Sequence, residues 1–176
     1  MKERRSVSDL LSLKGRKALA TGAAGHVGQV VAEVLLEMGA EVTLTDRDAA
    51  KVQAVAQKLG LDDSHWVYLD LTYEPDMASA IRVPADRMGG LDIVVHCAAL
   101  TGTGPGIRQG WAVPFQFQSI EAFRYSLDLN LTAPFVMAQE FLDEKSTGSP
   151  GVMLLFGSIY GVVGPQRSLY EGIVGV

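Results

Sequence analysis

Thr21-Gly22-Ala23-Ala24-Gly25-His26-Val27-Gly28 is the stretch whose reading decides the fold. It follows a short, mostly apolar run, Lys17 to Thr21 (KALAT), and leads into Val27 to Met38, where Val30, Val31, Val34 and Leu35 recur at helical spacing. The pattern predicts strand, glycine turn and helix. In such a unit Gly22 permits the tight turn, Gly25 lets the backbone approach a pyrophosphate, and Gly28 lets helix and strand pack closely. The helix N-terminus then offers free N–H groups to an anion. The competing reading is a tight strand-to-helix turn with no ligand. A mononucleotide P-loop is disfavoured, because no Gly-Lys-Ser/Thr follows.

The same alternation continues outward from this turn. Gly39 stops the first helix, Glu41 to Thr45 (EVTLT) reads as a second strand, and Arg47 to Leu59 as a second helix closed by Gly60. Trp66 to Leu69 is a third strand, Pro75 to Met88 a third helix ending at Gly89-Gly90, and Leu91 to Cys97 a fourth, strongly apolar strand. Ser119 to Glu144 contains a long helix, and Val152 to Phe156 is a fifth strand. Strands separated by helices require crossover connections, and continuous apolar strands require cover on both faces. The expected fold is therefore α/β, a doubly wound parallel sheet of at least five strands in a Rossmann-like three-layer α/β/α arrangement. One domain spanning residues 1–176 is expected, with an N-terminal arm over 1–13 and a loop-like tail over 165–176. Leu100 to Pro114, rich in Gly and Pro, follows the fourth strand at the sheet's carboxyl edge, where ligands bind in open parallel sheets. Trp111 and Phe115 there are candidates to line a substrate pocket or to plug its rim.

Composition narrows the classes. With 48% hydrophobic and 20% charged residues and 19 glycines, the chain has the balance of a folded protein with many tight turns. A net charge of −5 without a basic stripe argues against a nucleic-acid partner. The single cysteine, Cys97, fits a reducing compartment, and the N-terminus lacks the apolar run of a signal peptide. A cytoplasmic location with no membrane partner is expected. His26, His65 and His96 show no metal-ligand spacing, so no metal is expected. Cys97 reads as a small buried hydrophobe rather than a nucleophile. Ser158 lacks both a Gly-x-Ser-x-Gly elbow and a triad histidine after it, which disfavours a hydrolase.

Asp46 ends the second strand 18 residues after Gly28, where a carboxylate can accept hydrogen bonds from both hydroxyls of an adenosine ribose. This favours NAD, since a 2′-phosphate would meet like charge, although Arg47 next door offers NADP partial compensation. Asp46 can also serve as a helix N-cap. Asp70-Leu71 closes the third strand beside the adenine side of such a cleft, and Asp70 equally suits an ordinary turn.

From about Leu13 to Gly164 these segments resemble, in order, the short-chain dehydrogenase/reductase family. The glycine turn looks like that family's cofactor motif, with Gly25 and His26 in the spacing of its extended, sugar-nucleotide branch. Asp46 matches the NAD-selecting acid and Asp70-Leu71 the adenine-contact pair. His96-Cys97-Ala98-Ala99 stands where the family has Asn-Asn-Ala-Gly and is worded more like the extended branch, so the subfamily is mixed. The resemblance places Thr21, Gly22, Gly25, His26, Val27, Gly28, Asp46, Arg47, Asp70, Leu71, Ala98 and Ala99 against the cofactor. Asn130 would anchor a water of the proton relay through its main-chain carbonyl, with Pro134 nearby requiring a freed carbonyl. Ser158 would hydrogen-bond the substrate oxygen.

The family's proton-donating tyrosine, with a lysine four residues later to lower its pKa, has no counterpart. Tyr170 is followed at that distance by Val174, and no lysine occurs after Lys145. Tyr170 is either a solitary acid or part of a loop preceding a catalytic helix absent from this chain. The second reading implies a C-terminally truncated family sheet, lacking its last strands and leaving an apolar edge at Val152, Met153, Leu154 and Leu155. The resemblance implies an NAD-dependent oxidoreductase moving hydride between a nicotinamide cofactor and a small alcohol or carbonyl, in a homo-oligomer. Two other functions stay open: a sugar-nucleotide epimerase or dehydratase, and a non-catalytic dinucleotide-binding module.

Overall fold

A computed structural model describes residues 6–100, 115–145, 148, 150–164 and 166. Its sheet has five strands in the order β3-β2-β1-β4-β5: β1 (Lys17–Thr21), β2 (Glu41–Asp46), β3 (Trp66–Tyr68), β4 (Ile93–His96) and β5 (Val152–Leu155). All four pairings are parallel, with Leu19 opposite Thr43 on one side and Val94 on the other. The doubly wound α/β fold expected from the sequence is the observed one. The strand order reverses beside β1, so the crevice at the carboxyl ends of β1 and β4 is the topological switch point.

Alternation along β1 divides the core. Leu19 faces α4 (Glu74–Met88) and α6 (Ala133–Glu144), joining Ile81, Val94 and Met137. Ala18 and Ala20 face α2 (His26–Glu37) and α3 (Ala49–Lys58), joining Ala32, Val42, Leu44 and Val52. Small residues on both the strand and α2 let that helix lie close to the sheet. Its first turn is thereby held at the end of β1.

Helix boundaries follow local chemistry. The helix after β2 starts at Ala49 rather than Arg47, because the Asp48 side chain accepts the Lys51 N–H at 3.1 Å and caps it. The capping role open to Asp46 thus falls to Asp48. α4 ends at Gly89, whose φ of 69° is the left-handed stop that glycine adopts without strain. A short helix, α1 (Val7–Leu11), lies within the expected N-terminal arm; it is opened by a Ser6–Asp9 capping box and is too brief for apolar periodicity to reveal.

The long helix expected over 119–144 is not uniform. α5 (Ile120–Leu127) and α6 are joined by a π turn, Asp128–Thr132, in which the Ala133 N–H reaches back to the Asp128 carbonyl. Pro134 has no N–H to offer the Asn130 carbonyl four residues earlier, and the wider turn accommodates its ring. The proline thus places the helix irregularity at Asn130.

Among the described residues β5 pairs only with β4; of the expected apolar edge Val152, Leu154 and Leu155 are exposed, as is Phe156 beyond them, whereas Met153 packs against the core. Phe123, Leu127, Leu131 and Phe135, spaced at four residues along α5 and the start of α6, add an exposed apolar stripe. No helix among the described residues is long and apolar enough to cross a membrane. Trp111, Tyr170, Val174 and the loop over 101–114 lie outside the described residues, as does the Phe115 side chain.

Leu19 is fully buried at the centre of the sheet. Leu19→Ala should lower the unfolding free energy by about 2 to 5 kcal/mol, read from the midpoint of urea denaturation at unchanged slope.

Candidate functional site

The site is assembled at the carboxyl edge of the sheet, beginning with the contact between the β1 glycine turn and the end of β4. Gly22 has φ of 62°, and a Cβ there would stand 2.6 Å from the Ala98 backbone nitrogen. A Cβ on Gly28 would stand 2.3 Å from the Gly22 carbonyl oxygen. Glycine is therefore required at both positions by close backbone approach. Gly25 is exposed at the lip, and its virtual Cβ meets only the Gly22 oxygen, at 3.2 Å.

Among the described α-helices, α2 alone begins on a glycine, and it has no side-chain cap and no acidic residue in its first turn. α3 and α5 are capped by Asp48 and Ser119, and α4 carries Glu74 and Asp76 in its first turn. Nothing larger than a methyl group occupies Gly22 to Gly25 in front of the α2 N-terminus. These uncapped N–H groups, bared by the glycines, fit an anion such as a pyrophosphate. His26 and Val27 form the exposed start of the helix.

Thr21 is fully buried, and its hydroxyl lies 2.9 Å from His96 Nδ1 and accepts the Ala98 N–H at 3.3 Å. This small network joins the ends of β1 and β4. His96 Nε2 is buried without a hydrogen-bond partner among the described residues. Burial pushes the His96 pKa down, opposed by the nearby Leu129 backbone, so the ring is held neutral. Cys97, half-buried beside it, has its thiol pushed up to about 11 by burial, which keeps it protonated and unreactive at neutral pH.

A cleft of about 170 Å³ opens between these elements. Gly22, Gly25, Asp46, Arg47, Asp70, Leu71, Ala98 and Ala99 all line it, so most of the residues singled out from sequence come together. Asp46 Oδ2 accepts the Ala24 N–H and Oδ1 the Asp48 N–H, both at 3.0 Å, so this carboxylate braces the glycine turn from the neighbouring strand. Asp70 Oδ1 accepts the Thr72 N–H at 3.0 Å and the Thr72 hydroxyl at 2.7 Å, realising the turn role while Asp70 stays on the cleft wall. The Arg47 guanidinium donates to the Tyr125 hydroxyl across the cleft.

Asn130 sits in the π turn with its side chain committed to positioning. Oδ1 accepts the Leu100 N–H at 2.9 Å, and Nδ2 donates to the Leu100 carbonyl and to Ser126 Oγ, each at 3.3 Å. The side chain thereby fixes the chain leaving β4, while the backbone is turned by Pro134. Ser158 follows β5, at the same edge of the sheet, and its carbonyl accepts the Gly161 N–H at 3.0 Å. Neither Ser158 nor Asn130 lines the cleft described above.

Sequence reading missed Ala24, Leu129 and Tyr125. Ala24 acts through its backbone, which leaves no mark in residue type. Tyr125 and Leu129 stand one helical turn apart, a spacing that reads as ordinary core packing. Among the described residues no group of three or more His, Cys, Asp or Glu side chains is placed to hold a metal ion.

Gly22→Ala would drive a methyl group into the Ala98 backbone, so folded stability should fall by more than the ~1 kcal/mol typical of a strained backbone alone, measured by thermal unfolding. His96 titrates below its ordinary 6.5 when folded, so the unfolded chain binds the extra proton first and stability should decline as pH falls below about 6.5. The slope from this group is at most about 1.4 kcal/mol per pH unit. His96→Gln should remove that component from a series of denaturation curves at pH 5 to 8.

Comparison with known proteins agrees with this geometry. The family described as short chain dehydrogenase matches residues 16–171. The 3-hydroxyacyl-CoA dehydrogenase type-2 of Drosophila melanogaster is 32% identical over 162 residues, covering 92% of this chain and 56% of that protein. Zerumbone synthase of Zingiber zerumbet is 28% identical, with 89% of this chain and 57% of that protein covered. The crystal structure of a short-chain type dehydrogenase/reductase from Mycobacterium marinum superposes with a TM-score of 0.75 at 26% identity, covering 92% of this chain and 63% of the other. The chain thus spans less than two thirds of the length of each of these relatives. With the family match extending over most of its length, the chain belongs to the short-chain dehydrogenase family.

Proposed function

We propose that this chain forms the dinucleotide-binding part of an NAD-dependent oxidoreductase acting on a small alcohol or carbonyl. The observation that carries the reading is the uncapped N-terminus of α2, bared by Gly22 and Gly25, with the Asp46 carboxylate at the end of the adjacent strand. The first supplies donors for a pyrophosphate, and the second supplies acceptors for ribose hydroxyls. When bound, the nicotinamide cofactor would donate or accept the hydride.

The chain's own residues bind and orient. In the proposed complex the α2 backbone N–H groups hold the pyrophosphate, Asp46 the adenosine ribose, and Asp70 and Leu71 flank the adenine. Ala98 and Ala99 leave room for the cofactor beyond β4. Ser158 donates a hydrogen bond to the substrate oxygen, and the Asn130 carbonyl, which Pro134 has no N–H to serve, holds a relay water. Tyr170, a candidate proton donor, lies outside the described residues, and Val174 rather than a lysine stands four residues after it. A positioned acid of suitable pKa contributes about 10²- to 10⁴-fold in rate, so binding should be better developed than turnover. Self-association with further copies is supported by the exposed stripe at Phe123, Leu127, Leu131 and Phe135.

Titration calorimetry with NAD and NADP tests the cofactor reading, with nicotinamide absorbance under alcohols and carbonyls as the readout of turnover. Wild-type protein should bind NAD more tightly than NADP. Asp46→Asn keeps an acceptor for the Ala24 N–H and removes the charge, and should narrow that preference about tenfold or more. Equal weakening of both nucleotides would contradict the ribose role, and tight binding without turnover would favour the binding-module alternative.

A further inference from the structure

Arg47 is an exposed cation on the cleft wall immediately after Asp46. Among the described residues it has no ion pair, although a guanidinium beside an acidic strand end would ordinarily find one. Its partner is instead a neutral phenol, the Tyr125 hydroxyl, contributed from α5 on the other side of the cleft. Asp46 has both carboxylate oxygens committed to backbone N–H groups of Ala24 and Asp48. The two neighbouring charges therefore have separate attachments.

Tyr125 is a firm anchor. Its ring packs against the buried cluster that contains Leu129 and Met137, and the residues beside it on α5, Ala122 and Ser126, are buried. Ser126 is tied in turn to Asn130, which grips Leu100. A side chain with this support holds its hydroxyl in place without a further loss of rotamer freedom when Arg47 binds it.

Arginine next to the ribose-binding acid is the group best suited to receive a 2′-phosphate, because its planar fork pairs with phosphate oxygens. We infer that Tyr125 is a specificity-determining residue: by tethering the Arg47 guanidinium to α5, it withdraws a cation beside Asp46 from a 2′-phosphate and so disfavours NADP. To engage that phosphate, Arg47 must first leave the phenol, whereas NAD asks nothing of it. Discrimination then has two components, repulsion from Asp46 and sequestration of Arg47. The inference rests on the dinucleotide reading above.

The test is a double-mutant cycle in the full chain, with NAD and NADP dissociation constants measured by calorimetry for wild type, Tyr125→Phe, Arg47→Ala and the double variant. Tyr125→Phe keeps the packed ring and removes only the hydroxyl. It should tighten NADP about three- to tenfold, the effect of one competing hydrogen bond, and leave NAD within about twofold. In the Arg47→Ala background the same change should leave the NADP-to-NAD ratio unaltered. An unchanged ratio in Tyr125→Phe, or equal weakening of both nucleotides, would overturn the tether as a specificity device while the NAD reading stands. Failure of folded wild-type protein, verified by cooperative thermal unfolding, to bind either nucleotide would overturn the reading and the inference together.

Discussion

The rest of the site depends on one close contact, the backbone of Gly22 lying against the backbone of Ala98. Where a Cβ would come within 2.6 Å of a main-chain nitrogen, no side chain can intervene, and the ends of β1 and β4 are drawn together. The same approach sets Gly28 against Gly22, and so seats the first turn of α2 on the strand end with its N–H groups open. The Thr21 hydroxyl links His96 and the Ala98 N–H beside this contact, in a buried place where leaving such groups unpaired is costly. The openness of the helix terminus is thus a by-product of how tightly the strands are packed.

From that contact the walls of the cleft can be followed outward in both directions. Towards β2, the carboxylate of Asp46 holds the Ala24 N–H, so a residue suited to recognising a ribose also braces the turn that would hold the phosphates. Towards α5, the Asn130 side chain grips Leu100, and the π turn that carries Asn130 exists because Pro134 cannot complete an ordinary helix there. Each candidate binding group is therefore also a structural one. Substitutions at these positions change shape along with chemistry, which is why variants that preserve one role while removing the other are the informative ones.

The exposed apolar edge of β5 and the stripe along α5 and α6 belong to the same physical picture. A doubly wound sheet buries each strand between neighbours and beneath helices on both faces, and among the described strands β5 has a neighbour only in β4. Val152 and Leu155 are more than half exposed in consequence, at 60% and 52%. The exposure is located on the side of the molecule away from β2 and β3.

Most of the architecture was legible from residue order. Apolar runs broken by glycine, helical spacing at Val30, Val31, Val34 and Leu35, and the repeat of that alternation identified a doubly wound sheet, because periodicity is imposed by the geometry of strands and helices themselves. The placement of Gly22, Gly25, Asp46 and Asp70 around one cleft was legible too, since it follows from position at strand ends. Contacts between residues distant in sequence were not. Asp46 bracing Ala24, Asn130 gripping Leu100, and Arg47 held by Tyr125 depend on side-chain direction after β2, β4 and α5 have packed, and no local pattern encodes it. The chain's own order determined which groups reach the carboxyl edge; the tertiary structure decided which of them hold one another there, because that choice is made by packing across the crevice rather than along the chain.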